Sequence, residues 1–262
     1  LSQSTVQPRG LYDYVVKRMR ECAAVIDIRE YRITDDMLTI TRHGTYVVSG
    51  TWDNGQIRVE CVDAGELNLI LDDAHITNDD QACIVFWKAQ KAVLTLSADS
   101  VNTLTDGTRY YFDNPTDDEP DAPLFSKEDL TIQGSGSLTV DGNYKNGIVS
   151  KDDLVIAGGT ITVGAANVGI SGKDCVKITA CTLNITAGTD GIRSDNTEDT
   201  ARGYVYLKDG TINIQSGTDG VQASTVIKSE SPVMNIEATG KGFKAESDIL
   251  ISGGSYTANS QD

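Results

Sequence analysis

Carboxylates recur beside glycines in this sequence at spacings that could gather them around a hard cation. Asp190 precedes Gly191 in "ITAGTDGIRSDN", and Asp219 precedes Gly220 in "IQSGTDGVQAST". The first stretch runs on into a loop carrying Asp195, Asn196, Glu198 and Asp199. Oxygen ligands converging from a turn and its neighbour suit Ca²⁺, which takes about six to eight oxygens in flexible geometry. Five residues after Gly147, Gly169 and Gly191 stand Asp152, Asp174 and Asn196, with Glu128 of "LFSKEDL" in the same phase. Asp153 and Asp129 follow one residue later. This second column has two readings. It is a further Ca²⁺ site, or a ladder in which Lys127, Lys151 and Lys173, each one residue earlier, neutralise the acids.

Either reading needs elements that bring equal phases together. Glycine followed by an apolar residue recurs at Gly147-Ile148, Gly169-Ile170, Gly191-Ile192, Gly220-Val221 and Gly242-Phe243, at separations of 22, 22, 29 and 22. The long interval holds an extra loop of seven around "DNTEDTARG". Between the glycines, runs such as "LVIAGGTITV", "VKITACTLNI" and "VYLKDGTINI" alternate apolar and polar residues, the period of a half-buried strand. A unit of 22 residues with three short strands cannot bury its own apolar face, so units must stack. Residues of equal phase then lie about 4.8 Å apart. The expected fold is all-β, a parallel β-helix solenoid over residues 25–262, with weaker rungs reaching back to "LTITRHGTYVVSG". In residues 1–24, Leu11, Val15, Met19, Cys22 and Ala23 share one helical face, which predicts a short helix capping the first edge.

Composition narrows the partners. Thirty-eight acidic against 22 basic residues give a net charge of −16 over 262 residues, which repels nucleic acid and anionic lipid at long range. No apolar run is long enough for a transmembrane helix. Cys22, Cys61, Cys83, Cys175 and Cys181 lack CxxC spacing, and His43 and His75 are the only histidines. No zinc or iron-sulfur set can be assembled from them, so any metal is bound by oxygen. The cysteines read as small buried apolar residues.

The phased motifs "GTYVVSGTW", "NTLTDGTRYYF", "LFSKEDLTIQGSGSLTV", "NGIVSKDDLVIAGGTITV", "GTDGIRSDNTED" and "GTDGVQAS" resemble the bacterial cell-surface carbohydrate-binding β-helix family. That family binds cellulose and acidic sugars such as polygalacturonate, is calcium-loaded, and is similar in fold to pectate lyases. The resemblance implies a right-handed β-helix, Ca²⁺ between rungs and polysaccharide binding outside the cell or at its surface. It places metal ligands at Asp190 and Asp219, at Asp195 and Asn196, and at Asp152 and Asp153. One rung departs from the pattern: "AANVGISGKD" carries Asn167, Val168 and Ser171 where the family has two acids and an arginine, although Asp174 remains.

Three functions fit these residues. The first is non-catalytic, calcium-dependent binding of polysaccharide, with Arg193, Lys151, Lys173 and Lys244 meeting acidic groups and Tyr144, Tyr204, Tyr206, Trp52 or Trp87 stacking on sugar rings or packing at rung ends. The second is a pectate-lyase-like enzyme in which Ca²⁺ neutralises a uronate and Lys151, Lys173 or Arg193 removes a proton. A lysine beside carboxylates is held charged, which makes it a poor base. The third is a structural surface β-helix or adhesin whose cations serve rigidity.

Overall fold

Alternation and glycine spacing translate directly into strands. The structure, a computed structural model, describes residues 31–34 and 36–261. All 24 regular elements among them are β-strands. Each full rung supplies three. In the rung opened by Gly169 these are Ile170–Gly172, Cys175–Thr179 and Thr182–Ala187, and in the next they are Ile192–Ser194, Tyr204–Lys208 and Thr211–Ser216. Every one pairs in parallel with its counterpart: Ile170 with Ile192, Cys175 with Tyr204, Thr182 with Thr211. The inserted loop falls between first and second strands, so all three registers survive it.

The first strands of successive rungs build a ten-stranded sheet, and the second and third strands build a fourteen-stranded one. This is consistent with a parallel β-helix. One pairing departs from it. Tyr31–Thr34 runs antiparallel to Met37–Ile40 and is the end strand of the first sheet among the described residues. The helix expected over residues 1–24 lies outside the described residues.

Apolar columns fill the interior. Ile148, Ile170, Ile192 and Val221 stack from the first sheet, and Leu154, Val176, Val205 and Ile227 face them, all fully buried. They belong to one cluster extending from Leu38 to Ala238. Each such side chain stabilises by about 1.5–3 kcal/mol relative to leaving it in water. Stacking this close dictates the glycines. A Cβ on Gly191 would lie 2.6 Å from the carbonyl oxygen of Gly220 and 2.4 Å from Ile214 Cγ2. The turn between second and third strands is left-handed instead, with Ala180, Asp209 and Ser231 at φ of 50°, 54° and 60°.

Cys61, Cys83, Cys175 and Cys181 are buried and unlinked. Cys83 Sγ donates to the Thr105 carbonyl at 3.3 Å, and burial pushes the Cys175 and Cys181 thiols up to about 11. They serve as small apolar fillers. No helix among the described residues is long and apolar enough to cross a membrane.

Candidate functional site

In a three-residue strand the two outer side chains point inward and the middle one points out. The first sheet therefore presents one outward column, Phe125, Val149, Ser171, Arg193, Gln222 and Lys244 in register. The acidic segment between Asp106 and Leu124 folds back over the start of this column. Tyr110 and Ala122 are buried against Phe125 and Val149. The Tyr110 ring stacks on Tyr144 at 4.3 Å, and its hydroxyl donates to Asp106 Oδ2 at 2.6 Å. The segment is thus packed down onto the sheet.

Where that segment ends, the column opens into a cleft of about 460 Å³ lined by Glu119, Asp121, Lys151, Lys173, Arg193 and Asp195, among others. Glu119 sits between two ammonium groups, with Oε2 2.7 Å from Lys127 Nζ and Oε1 2.9 Å from Lys151 Nζ. Burial presses the Glu119 pKa up, but the two lysines outweigh it and hold the carboxyl below its ordinary range. Burial presses Lys151 down, but Asp121, Glu119 and Asp195 outweigh it and raise its pKa. Burial raises the Asp121 pKa. Asp121 accepts from Asn146 Nδ2 at 3.0 Å on Oδ2, while its Oδ1 is buried with no hydrogen-bond partner. Arg193 Nε lies 3.4 Å from Asp195 Oδ2, within ion-pair reach but outside hydrogen-bond geometry, so it too is a buried donor left unmatched. Unmatched buried polar atoms cost free energy, and here a donor and an acceptor both line one cleft.

Beside the cleft, at the turn after the first strands, Asp129, Asp152 and Asp153 each bring a carboxylate oxygen within 4.8 Å of the others. Asp129 Oδ1 accepts the Asp153 amide at 3.1 Å, and Lys177 Nζ approaches Asp153 Oδ2 at 3.3 Å. Burial, then the neighbouring Asp174, Asp129 and Asp153, push Asp152 up to about 6. The charge there is incompletely balanced.

A family model described as carbohydrate-binding domain-containing protein matches residues 34–262. The chain belongs to that family. A carbohydrate-binding domain-containing protein of Acetivibrio thermocellus is 38% identical over 222 residues, covering 85% of this chain and 78% of its own. A solved structure described as a polysaccharide lyase-like protein from C. thermocellum, in a gadolinium derivative, superposes with a TM-score of 0.82 at 36% identity, covering 87% of this chain and 92% of its own.

On this carbohydrate-binding domain the residues singled out from sequence separate into three places. Lys151, Lys173 and Arg193 converge in the cleft. Asp190 and Asp219 come together at the turn before the first strands. There Asp190 Oδ1 accepts the Thr218 hydroxyl at 2.5 Å and the Asp219 amide at 3.2 Å, and Asp219 Oδ1 accepts the Lys241 amide at 2.9 Å. Arg193 Nη1 stands 3.7 Å from Asp190 Oδ2, and Lys244 Nζ 3.1 Å from Asp219 Oδ2. Asn196 and Asp174 lie at the opposite end of strand Ile192–Ser194, with Asp152 and Asp153. Asn196 Nδ2 donates to Asp174 Oδ1 at 2.5 Å, and Arg202 pairs with Asp174 Oδ2. Asn196 Oδ1 and Asp199 Oδ1 accept amides of their own loop, from Glu198 and Ala201 at 2.9 Å each. Arg193 spans both ends.

Of the lysine ladder, Lys127 and Lys151 do not pair with the acids one residue on. They turn to Glu119 instead, because a side chain on the outer face of the sheet meets the segment lying on it sooner than its own turn. Tyr204 and Tyr206 sit on the second strand of their rung, with Lys177 Nζ 5.4 Å above the Tyr204 ring, away from the cleft. Trp52 is core, and Tyr144 and Trp87 pack outside the first sheet, with Arg58 and Lys127 over the Trp87 ring. In sequence, Glu119 and Asp121 stand in an acidic loop, "FDNPTDDEPDAP", that could hold a cation but has three prolines and no repeat partner to fix where it lands. The readable signal is that it runs straight into "LFSKEDL", so it must return to the sheet it leaves.

Proposed function

We propose that this protein is a non-catalytic, calcium-dependent binder of cell-wall polysaccharide, acidic chains such as polygalacturonate or cellulose, acting outside the cell on a right-handed parallel β-helix. The polysaccharide lies in the cleft over the first sheet. What carries this reading is the convergence of Lys151, Lys173 and Arg193 there, with Asp121 Oδ1 and Arg193 Nε lacking hydrogen-bond partners. A sugar brings hydroxyls that donate and accept, and a uronate adds a carboxylate, so one ligand matches both orphans.

A protein of net charge −16 that takes up a polyanion needs local positive charge. Part comes from the cleft cations. The rest comes from Ca²⁺ at Asp129, Asp152 and Asp153, whose clustered oxygens and raised Asp152 pKa are what a hard divalent cation relieves. Asp174 and Asn196 flank that site. Asp190, Asp219, Asp195 and Asp199 have their oxygens largely engaged by amides, hydroxyls and arginine, and they support the turns that carry it.

The polysaccharide lyase-like neighbour favours a second reading, with Lys151 as base. Against it, the carboxylates around Lys151 hold its ammonium charged at neutral pH, opposite to the depression a base needs. Equilibrium binding to polygalacturonate and to cellulose, with Ca²⁺ or chelator, tests the first reading. Retention should be lost with chelator and should weaken about tenfold or more in Lys151→Ala and Arg193→Ala, the scale of a charge-assisted hydrogen bond. Release of unsaturated, ultraviolet-absorbing product would favour the lyase instead.

A further inference from the structure

We infer that Lys127 and Lys151 form a carboxylate-binding subsite whose resting occupant is the protein's own Glu119, so that an acidic sugar must displace Glu119 to bind fully. The inference rests on the cleft being the polysaccharide site and adds how its selectivity for acidic chains is set.

The geometry is that of a bound ligand. Both oxygens of one carboxylate are engaged, each by a separate ammonium, at 2.7 and 2.9 Å. The two lysines stand at the same phase of adjacent rungs, since Ser126 pairs with Ser150 one residue before them. They are therefore fixed about 4.8 Å apart at the backbone by the sheet. Glu119 is not fixed in that way. It belongs to no strand, and its segment is anchored on either side of it, by Tyr110 stacked on Tyr144 and by buried Ala122. Its side chain can swing away by rotation about its own bonds while those anchors stay in place.

Glu119 also stands at a junction. It lines the cleft of about 460 Å³ that holds Lys151, Lys173 and Arg193, and it lines a second of about 700 Å³ that holds Arg58, Trp87, Tyr111 and Phe112. A polymer spanning both clefts would pass over Glu119, on the outside of the segment that covers Phe125 and Val149. A neutral sugar there meets an ion pair already satisfied, whereas a uronate exchanges one carboxylate for another and leaves the lysines no worse matched. Glu119 acts as an internal competitor that lowers affinity for short acidic chains, and the competition is overcome when several uronates bind at once.

Glu119→Gln removes the competing charge and keeps the side-chain shape. Isothermal titration with a galacturonic acid oligosaccharide, and separately with a cellulose oligosaccharide, should show about tenfold tighter binding of the acidic ligand and an unchanged neutral one, as expected for freeing a subsite occupied most of the time. Lys127→Met should weaken the acidic ligand only, with circular dichroism confirming that the sheet persists. If the wild type binds the acidic oligosaccharide and Glu119→Gln binds it equally or more weakly, the inference is wrong and the binding site stands. If neither protein binds it, the cleft reading falls as well.

Discussion

Two acid-rich columns lie at opposite ends of the first-sheet strands, and they have opposite electrostatics. At the turn before these strands, Asp190 and Asp219 each spend Oδ1 on an amide of the following rung and set Oδ2 against Arg193 or Lys244. Every oxygen has something to do. At the turn after the first strands, Asp129, Asp152 and Asp153 crowd their oxygens within 4.8 Å, Lys177 is the one cation at ion-pair distance from them among the described residues, and Asp152 is pushed up to about 6. A column of carboxylates is thus a structural clamp or a cation site according to what satisfies it. Clamping carboxylates are stabilised by accepting backbone donors, while crowded ones store repulsion that a cation or a proton relieves.

The largest difference between the turns should appear when a clamp is removed. Asp190→Ala strands the Asp219 amide in a place where Asp190 is 6% exposed, while the hydroxyl of exposed Thr218 turns to water. A buried unsatisfied donor costs about 1–3 kcal/mol, so urea unfolding should show a loss of up to about 3 kcal/mol, the same with or without Ca²⁺. A loss under 1 kcal/mol, or one rescued by Ca²⁺, would turn the clamp into a cation site.

Next in size is the response to the metal. At Ca²⁺ about a hundredfold above its dissociation constant, the wild type should gain about 2.7 kcal/mol, read as a rise in melting temperature. Asp152→Asn should abolish most of that gain. Asp190→Asn, which keeps an oxygen to accept the same amide, should retain it. Loss of the gain in the second variant and not the first would exchange the roles of the two turns.

Much of this architecture was legible in the residues, and the reason is periodicity. Ile148, Ile170, Ile192, Val221 and Phe243 pair in register as their spacing predicts, even across the seven-residue insertion. A period-two strand that slipped by one would turn its apolar side chains to water, so the register has one answer. The columns Asp190 with Asp219 and Asp152 with Asp174 and Asn196 were legible for the same cause. Their charge balance was not. It depends on Arg202 from the insertion, on Glu119 from the segment over the first sheet, and on Lys177 one rung away. None of these repeats, so nothing in the period says where they land. The Ca²⁺ cage expected from Asp190, Asp219 and the loop acids illustrates the gap: proximity along the chain put Asp195 and Asn196 near Asp190, but a three-residue strand carries them to the other turn.

The smallest effect separates the turns by pH. Asp152 has a folded pKa near 6 against 3.8 as its ordinary value, so the folded state holds the proton more tightly than the unfolded chain. Its contribution is full below about pH 4 and is lost as pH rises through 6, which predicts that the calcium-free protein is less stable at pH 7 than at pH 5. Screening at this partly exposed position reduces the difference to about 1 kcal/mol. Asp106 titrates in the same window, raised to about 6 by burial despite the hydrogen bonds it accepts from Tyr110 and Asn143, so the wild-type slope contains both groups. The informative quantity is the difference between wild type and Asp152→Asn, in which the Asp106 part cancels. Saturating Ca²⁺ should reverse the sign, because a bound cation favours the ionised carboxylate: the metal's stabilisation should be largest at pH 7 and fade below 6. A pH slope unchanged by Asp152→Asn would mean that the repulsion at this turn is already relieved by solvent, and the contrast between the two turns would then lie in hydrogen bonding alone.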